Sequence, residues 1–480
     1  MNGRATWVRS GSAALLLTAL LAVPQANATP ARAQALGGYD LAYPNSINTF
    51  VYFEDDVNIF VNPALIYRYR DMVSTSLGFT AGSQSGMGVS PYGGFLVEPL
   101  DSRIVFGLFL NRDPMLWGEG AALQPVLNGL VPGGLGNAFD TGSQGGLGMT
   151  SVAPVFPLDL FIGGNLGLVS LGLNAYVVGG GTTSHGETLL SSDPAVFAIN
   201  DEKAKSFYGG FRLGMVYDGD LVQPEVYAGY TGVAAWASTF AYDTENGQGL
   251  PSVSHTEGIK GVGRVLGGVR VHVRTNYMTL TPHLGYATAW GKTFSDENLG
   301  DQATVENMQN NDNRHTAMDI NGGLGLTYEP EDPLRVIWTA SAQVRRLRHR
   351  TDDHLGDMDT DPPADSASTQ TDDIGTWFAG PVGSVAAEYD AWRHLTLRAG
   401  VRANVLWGKN YTSSSAFYGT QMTGTSSGAT DTGPTPSLAA TAGISIPVGP
   451  VDLDATLGGL VMGGADMQFF SRLDMRIYLP

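Results

Sequence analysis

The feature that most constrains this chain is an alternation of period two, shown most cleanly between Gly263 and Trp290. Val265, Gly267, Val269, Val271 and Val273 alternate with Arg264, Gly268, Arg270, His272 and Arg274. After Thr275-Asn276 the rhythm restarts, with Met278, Leu280, Pro282, Leu284, Tyr286 and Trp290 on one face and Tyr277, Thr279, Thr281 and His283 on the other. Successive side chains of a strand point to opposite faces, so the two runs read as an antiparallel hairpin with one greasy and one charged face. A soluble sheet also has such faces, so the decision rests on repetition.

The pattern recurs along the chain. Strands are expected at Arg103 to Asn111, Val155 to Gly163, Leu166 to Gly179, Ser206 to Tyr217, Val222 to Tyr242, Gly263 to Arg274, Tyr277 to Trp290 and Thr316 to Tyr328. They continue at Leu334 to Arg348, Trp377 to Tyr389, His394 to Trp407, Ser437 to Ile446, Val451 to Val461 and Phe469 to Leu479. That gives about fourteen strands, and the weaker runs Val73 to Thr80 and Tyr92 to Val97 raise the number to sixteen; both are even, as single-chain bacterial barrels require.

The links between strands alternate in length. Gly164-Asn165, Asp218 to Leu221, Thr275-Asn276, Glu329 to Pro333, Asp390 to Arg393 and Pro447 to Pro450 are short, whereas Gly180 to Lys205, Asp243 to Val262, Gly291 to His315, His349 to Thr376 and Gly408 to Pro436 are long. Outer-membrane barrels have short periplasmic turns and long outer loops, an asymmetry that a soluble sandwich has no reason to produce. The expected fold is therefore all-β, a transmembrane antiparallel β-barrel.

Charges then choose the faces. Leu397, Val401 and Trp407 oppose Thr396, Arg398, Arg402 and Asn404; Val336, Trp338 and Val344 oppose Arg335, Gln343 and Arg345; Leu473, Met475 and Ile477 oppose Arg472, Asp474 and Arg476. An Arg or Lys on the lipid face at the bilayer midplane costs about 2–4 kcal/mol, so the arginine faces look inward. Lumen candidates are Arg212, Arg264, Arg270, Arg274, Arg345, Arg398, Arg402, Arg472 and Arg476, with Glu225, Glu388, Asp452, Asp454 and Asp474 as partners. They form either a solvating ladder of ion pairs or a basic constriction for an anionic head group.

Residues Met1 to Ala28 read as a secretory signal, with Arg4 and Arg9 before the apolar run Ala13 to Val23 and small residues at Ala26-Asn27-Ala28; Ala31-Arg32-Ala33 is a second cleavage candidate. The chain has no cysteine, which removes disulfides, thiolate metal sites and an acylated lipoprotein anchor, and its net charge of -18 argues against a nucleic-acid partner. No cofactor is implied.

After an aromatic-rich, irregular stretch from Leu36 come Glu54-Asp55-Asp56, the short apolar run Val57 to Val61 and Asn62-Pro63-Ala64. An acidic pair, an apolar stretch and Asn-Pro-Ala near the mature N-terminus resemble the FadL-like outer-membrane transport proteins and their PorV-like relatives. Those families continue with Gly where this chain has Leu65-Ile66. The resemblance implies a hatch at 29–64, including Leu36 to Val61, plugging a barrel at 65–480. It also implies passive uptake of hydrophobic or amphipathic small molecules. The alternatives are a plugged barrel that docks other proteins in secretion and a general diffusion porin. Expected partners are outer-membrane lipid and lipopolysaccharide, the barrel-assembly machinery and a hydrophobic substrate.

Chemistry for catalysis is weak. Gly424 to Gly428 matches the nucleophile-elbow pattern but sits in a Ser/Thr/Gly-rich loop. His272 and His283 share a face, yet a two-residue turn sets them opposite Thr279 and Gly268, so they do not form a metal pair. Asp357, Asp359 and Asp361 have calcium-loop spacing without the glycine and distal glutamate that complete it. Ala81 to Gly88 and Thr141 to Gly148 are similar glycine-rich stretches, read as two loops or as paired elements in the lumen.

Overall fold

The computed structural model describes residues 30–36, 49–52, 55–78, 92–99, 102–111, 155–189, 197–243, 253–298, 309–331, 333–355, 368–418, 421–462 and 468–479. The two glycine-rich stretches and Asp357 to Asp361 lie outside them.

The strands are β1 Met72–Gly78, β2 Tyr92–Val97, β3 Ile104–Leu110, β4 Val155–Asn165, β5 Val169–Leu189, β6 Phe197–Tyr217, β7 Val222–Asp243 and β8 Val253–Arg274. Then follow β9 Met278–Asn298, β10 Gln309–Glu331, β11 Leu334–Leu355, β12 Ser368–Trp392, β13 Leu395–Tyr418, β14 Gln421–Val448, β15 Val451–Met462 and β16 Gln468–Tyr478. Each pairs antiparallel with its chain neighbours, and β1 pairs with β16 from Met72↔Tyr478 to Gly78↔Arg472, closing the barrel. The count is sixteen rather than fourteen: the two weak early runs are full members of the wall.

Alternation decides which way each residue points. On β6, Phe211, Leu213 and Met215 are exposed while Arg212 and Val216 are buried; on β13, Val401 is 48% exposed and Arg402 only 2%. The outward face forms a belt. From Met278 to Trp290 the chain rises about 3.3 Å per residue, so at a tilt of about 40° the run covers roughly 30 Å of height, near the hydrocarbon thickness of a bilayer.

Two sequence expectations change. Several strands run well past their apolar stretches: β14 is 28 residues long where Ser437 to Ile446 was expected, and β12 begins at Ser368 rather than Trp377. Much of the expected long loops is therefore extended hairpin, and Gly424 to Gly428 lies in β14 itself, again without the strand-turn-helix setting that a nucleophile elbow needs. In β12 and β14 the added residues, 368–376 and 421–436, are mostly polar, so the apolar alternation is lost there while the backbone pairing continues. The β8–β9 register also differs by two residues. The turn is Thr275 to Tyr277, Arg274 pairs with Thr279, and Arg270 pairs with His283. The Thr275 hydroxyl accepts from Met278 N at 3.1 Å and stabilises the longer turn. His272 then meets Thr281, Nδ1 to Oγ1 at 2.9 Å, and remains apart from His283 in register.

The hydrophobic core is inside the barrel and is supplied largely by the chain that precedes it. A short helix, Pro30–Ala35, and three 3-10 segments, Thr49–Tyr52, Asp56–Phe60 and Pro63–Tyr69, pack there; Leu36, Tyr52, Ile59, Phe60 and Ile66 are buried with Leu96, Phe109 and Phe161 of the wall. Capping sets the turns. Asp55 accepts from Val57 N, and Asn62 accepts from Ala64 N, each at 3.2 Å, with Pro63 at the first helical position, where its missing N–H costs nothing. Because Pro63 starts a further turn, the enclosed segment continues to Tyr69 and gives way to the wall at Arg70–Asp71, not at Ala64.

Candidate functional site

The candidate site is the interior surface where the N-terminal segment meets the wall. Its main fastening is Arg32. The guanidinium donates from Nε and Nη2 to the two oxygens of Glu388 at 2.6 and 2.5 Å, and Nη1 lies 3.4 Å from Asp55 Oδ2. Glu388 also receives Arg335 at 3.1 Å and Arg398 Nε at 2.8 Å, and Arg398 continues to Asp454. Around the same helix, Ala31 N donates to Asp474 Oδ2 at 2.5 Å, while Thr456 and Thr441 donate to the carbonyls of Ala31 and Ala35. Next to it Arg476 Nη2 donates to Asp56 Oδ2 at 2.6 Å. Charge-assisted hydrogen bonds of this kind are roughly twice as strong as neutral ones, so the network holds the segment in one position.

Burial tunes the acids carried by the segment. It raises the carboxyl pKa of Asp55 well above the usual range; neighbouring Asp56 adds to the rise and Arg32 opposes it. Burial also raises Asp56, against the pull of Arg476. Tyr52 is likewise pushed up by burial. For Arg32 burial acts downward, but Glu388 and Asp55 outweigh it and hold the guanidinium charged.

A second fastening is built on Asn62. Its Oδ1 caps its own helical turn and its Nδ2 donates to Glu225 Oε2 at 3.1 Å. Glu225 is held by Arg270, Nη2 to Oε2 at 2.6 Å, and His272 Nε2 lies 3.2 Å from its other oxygen. Arg270 donates onward to the Val51 carbonyl at 2.9 Å, and Arg212 donates to the Phe60 carbonyl. The wall makes room: a Cβ at Gly214 would collide with the Asn62 side chain, and one at Gly172 with the Pro63 carbonyl.

The third contact is apolar. Phe60 meets Tyr92, Phe109 and Phe161 edge-on at centroid distances of 6.4, 5.2 and 5.6 Å. Such pairs contribute about 0.5–1.5 kcal/mol each beyond area burial. Outside this seam, the wall between β1 and β3 carries a depression of about 460 Å³ over Gly93 and Gly94, lined by Val73, Thr75, Phe95 and Leu108. Across the interior, Tyr52 packs edge-on against His283, which stacks on Tyr227.

The structure places Arg212, Arg264, Arg270, Arg345, Arg398, Arg402, Arg476 and Asp474 in buried positions on the inward face, and Arg274 half-buried near the short-turn end. The Arg472 side chain lies outside the described residues. These residues do not form one ring. Arg398, Arg476 and Asp474 gather at Arg32, and Arg212 and Arg270 gather at Asn62. Arg345 stands apart, donating to Asp319 at 2.9 and 2.7 Å. Sequence reasoning missed Arg32, Asp319 and the ligation of Asn62 by Glu225. Asp319 had a signal, since it sits at inward parity beside outward Ile320.

No protein-family model and no curated protein sequence matches the chain. Among solved structures it is similar to the toluene transporter TbuX of Ralstonia pickettii, 14% identical over 88% of this chain and 93% of that one, with a TM-score of 0.33. It is also similar to the toluene transporter TodX of Pseudomonas putida, 12% identical over 94% and 97%, TM-score 0.33. A third is the ferric yersiniabactin uptake receptor FyuA of Yersinia pestis, 9% identical over 85% and 79%, TM-score 0.33. Likenesses this distant leave the fold resting on the strand register itself.

Proposed function

We propose that the chain is an outer-membrane channel for the passive entry of hydrophobic or amphipathic small molecules, closed at rest by its own N-terminal segment. The observation that carries the reading is the manner of closure: the lumen is occupied by a segment held at a few polar points, Arg32 on Glu388 and Asn62 on Glu225, with an aromatic seam at Phe60 between them and the wall. Polar fastenings can exchange for water or ligand one at a time, whereas the aromatic seam offers a greasy surface to a molecule that displaces Phe60. The outward belt supports residence in a bilayer, since a closed barrel leaves no unpaired strand edge in lipid.

The experiment is uptake into proteoliposomes. A labelled fatty acid should enter faster than in protein-free vesicles, while swelling in polar solutes of similar size should match the protein-free rate. Rapid swelling with polar solutes would favour a general diffusion porin, and no transport of either kind would favour a docking protein.

A further inference from the structure

Tyr52 of the enclosed segment lies in a slot that the wall makes without it. Gly323 and Gly325 stand at consecutive inward positions of β10, while the strands on either side carry side chains at the same levels. His283 of β9 and Ser341 of β11 flank Gly323, and Thr281 and Thr339 flank Gly325. β9 and β11 are two strand spacings apart, about 10 Å, so two missing side chains on the strand between them leave a flat-floored cleft with room for one ring. Tyr52 fills it and is fully buried. A Cβ on Gly325 would fall 2.6 Å from the Tyr52 Cβ and 2.7 Å from its carbonyl oxygen.

The walls are fixed by contacts in which the tyrosine takes no part. His283 Nε2 and the Tyr227 hydroxyl are 2.9 Å apart and the two rings lie within 8° of parallel. Thr339 shares a hydrogen bond of 2.6 Å with Ser384, and Ser341 donates to the Val382 carbonyl at 3.3 Å. The slot therefore belongs to the barrel, and Tyr52 is an incomplete fit to it. Its ring stands edge-on to His283 at 5.7 Å, a favourable aromatic geometry. Its hydroxyl, directed at Ser341, completes no hydrogen bond of ordinary geometry among the described residues, and His283 Nδ1 has no partner there either. Buried polar groups left unmade favour an occupant that satisfies them. Tyr52 cannot shift freely to do so, because Arg270 holds the adjoining Val51 carbonyl at 2.9 Å. A free ring has no such tether.

We propose that the slot over Gly323 and Gly325 is a binding site for a small hydroxylated aromatic molecule, and that Tyr52 is its resting occupant, exchanged for the ligand when the segment withdraws. The ligand ring takes the edge-on place beside His283, and its hydroxyl bonds to Ser341. An acyl chain would fill the width but leave both polar groups unmade, so the slot selects a ring that carries a hydroxyl. The site rests on the channel reading of the barrel and narrows it to amphipathic aromatics.

The test is saturation-transfer NMR of the full chain in neutral detergent, with micelles alone as the blank. The probes are p-cresol, toluene, which lacks the hydroxyl, and 4-methylcyclohexanol, which lacks the aromatic ring. The wild-type protein should bind p-cresol about fivefold better than either of the others, the worth of one net hydrogen bond. Equal binding of the three overturns the site, and that comparison needs no variant to fold. Tyr52→Ala should bind p-cresol about tenfold better than the wild type, because the competing occupant is gone; unchanged affinity overturns Tyr52 as the occupant. Ser341→Ala should bring p-cresol down to the level of toluene, and Ser341→Thr should keep part of the preference. A full preference in Ser341→Ala overturns the hydroxyl assignment. Proteoliposome uptake separates the two readings: protein that binds p-cresol but passes neither it nor a labelled fatty acid keeps the slot and removes the channel. Passage of the fatty acid with no preference among the three probes removes only the slot.

Discussion

Arg32 and Glu388 lie 356 positions apart in the chain and meet inside the barrel through two hydrogen bonds of 2.6 and 2.5 Å. Glu388 keeps Arg335 and Arg398 when Arg32 is removed, so an Arg32→Ala variant should retain its barrel while its N-terminal helix loses its main fastening. Planar-bilayer conductance should rise, by several-fold if the helix leaves. Unchanged conductance, with the barrel intact by heat-modifiable gel mobility, would place the seal elsewhere.

Deleting Leu36 to Asn58 removes the Asp55 and Asp56 fastenings but none of the strands. The variant should assemble and conduct better than the intact protein. Assembly without a gain in conductance would contradict the role of this segment in closure.

Docking should also depend on pH. Asp55 and Asp56 have carboxyl pKa values raised by burial in the docked segment. A carboxyl raised in the docked state binds its proton more tightly there, so its contribution is fully present below the free value of about 3.9 and is lost as pH rises through the docked value. Conductance should therefore climb from acid towards neutral pH, and Asp55→Asn should flatten the climb. A wild-type profile that falls over the same range would reverse the sign.

The two faces of β13 give a mutational pair. Val401→Arg puts a charge in lipid at a cost of about 2–4 kcal/mol, a large share of a typical fold's stability, and should impair assembly. Thr396 is buried inside, donating to Asp390 at 2.5 Å, and Thr396→Arg should be tolerated beside that carboxylate. Equal assembly of both variants would contradict the outward position of Val401.

Arg32 and Ala31 make the buried contacts to Glu388 and Asp474, so if these contacts persist after removal of a secretory signal, N-terminal sequencing should find Thr29 first. A start at Gln34 would remove both. In intact cells, a tag between Asp359 and Thr360 should bind antibody and one within Pro447 to Pro450 should not.

Residues facing lipid were legible because the solvent there permits almost no exceptions: Leu397, Val401 and Trp407 keep strict period on β13. Further along the same strand, Asn410 to Ser415 continue the pairing with β12 and β14 in a mostly polar run that shows no apolar alternation. Asn62 was visible as part of a motif, but its tie to Glu225 joins residues 163 apart. Arg32 was hidden differently. Its alanine-rich neighbourhood resembles a cleavage site, and small residues serve equally for close packing beneath Gly443, where a Cβ would strike Ala35.

The seam of the barrel is made by its first and last strands, Met72 against Tyr478 through Gly78 against Arg472. Joining ends so far apart in sequence is slow, because the chain loses loop entropy before the contacts reward it. The enclosed segment ends at Tyr69, directly before β1, so it is tethered to one lip of the gap throughout that wait. The last strand also carries Asp474 and Arg476, which grip Ala31 and Asp56. The strand that closes the seam is thus also one that grips the segment, so the shut ring and its seated occupant share the contacts of β16.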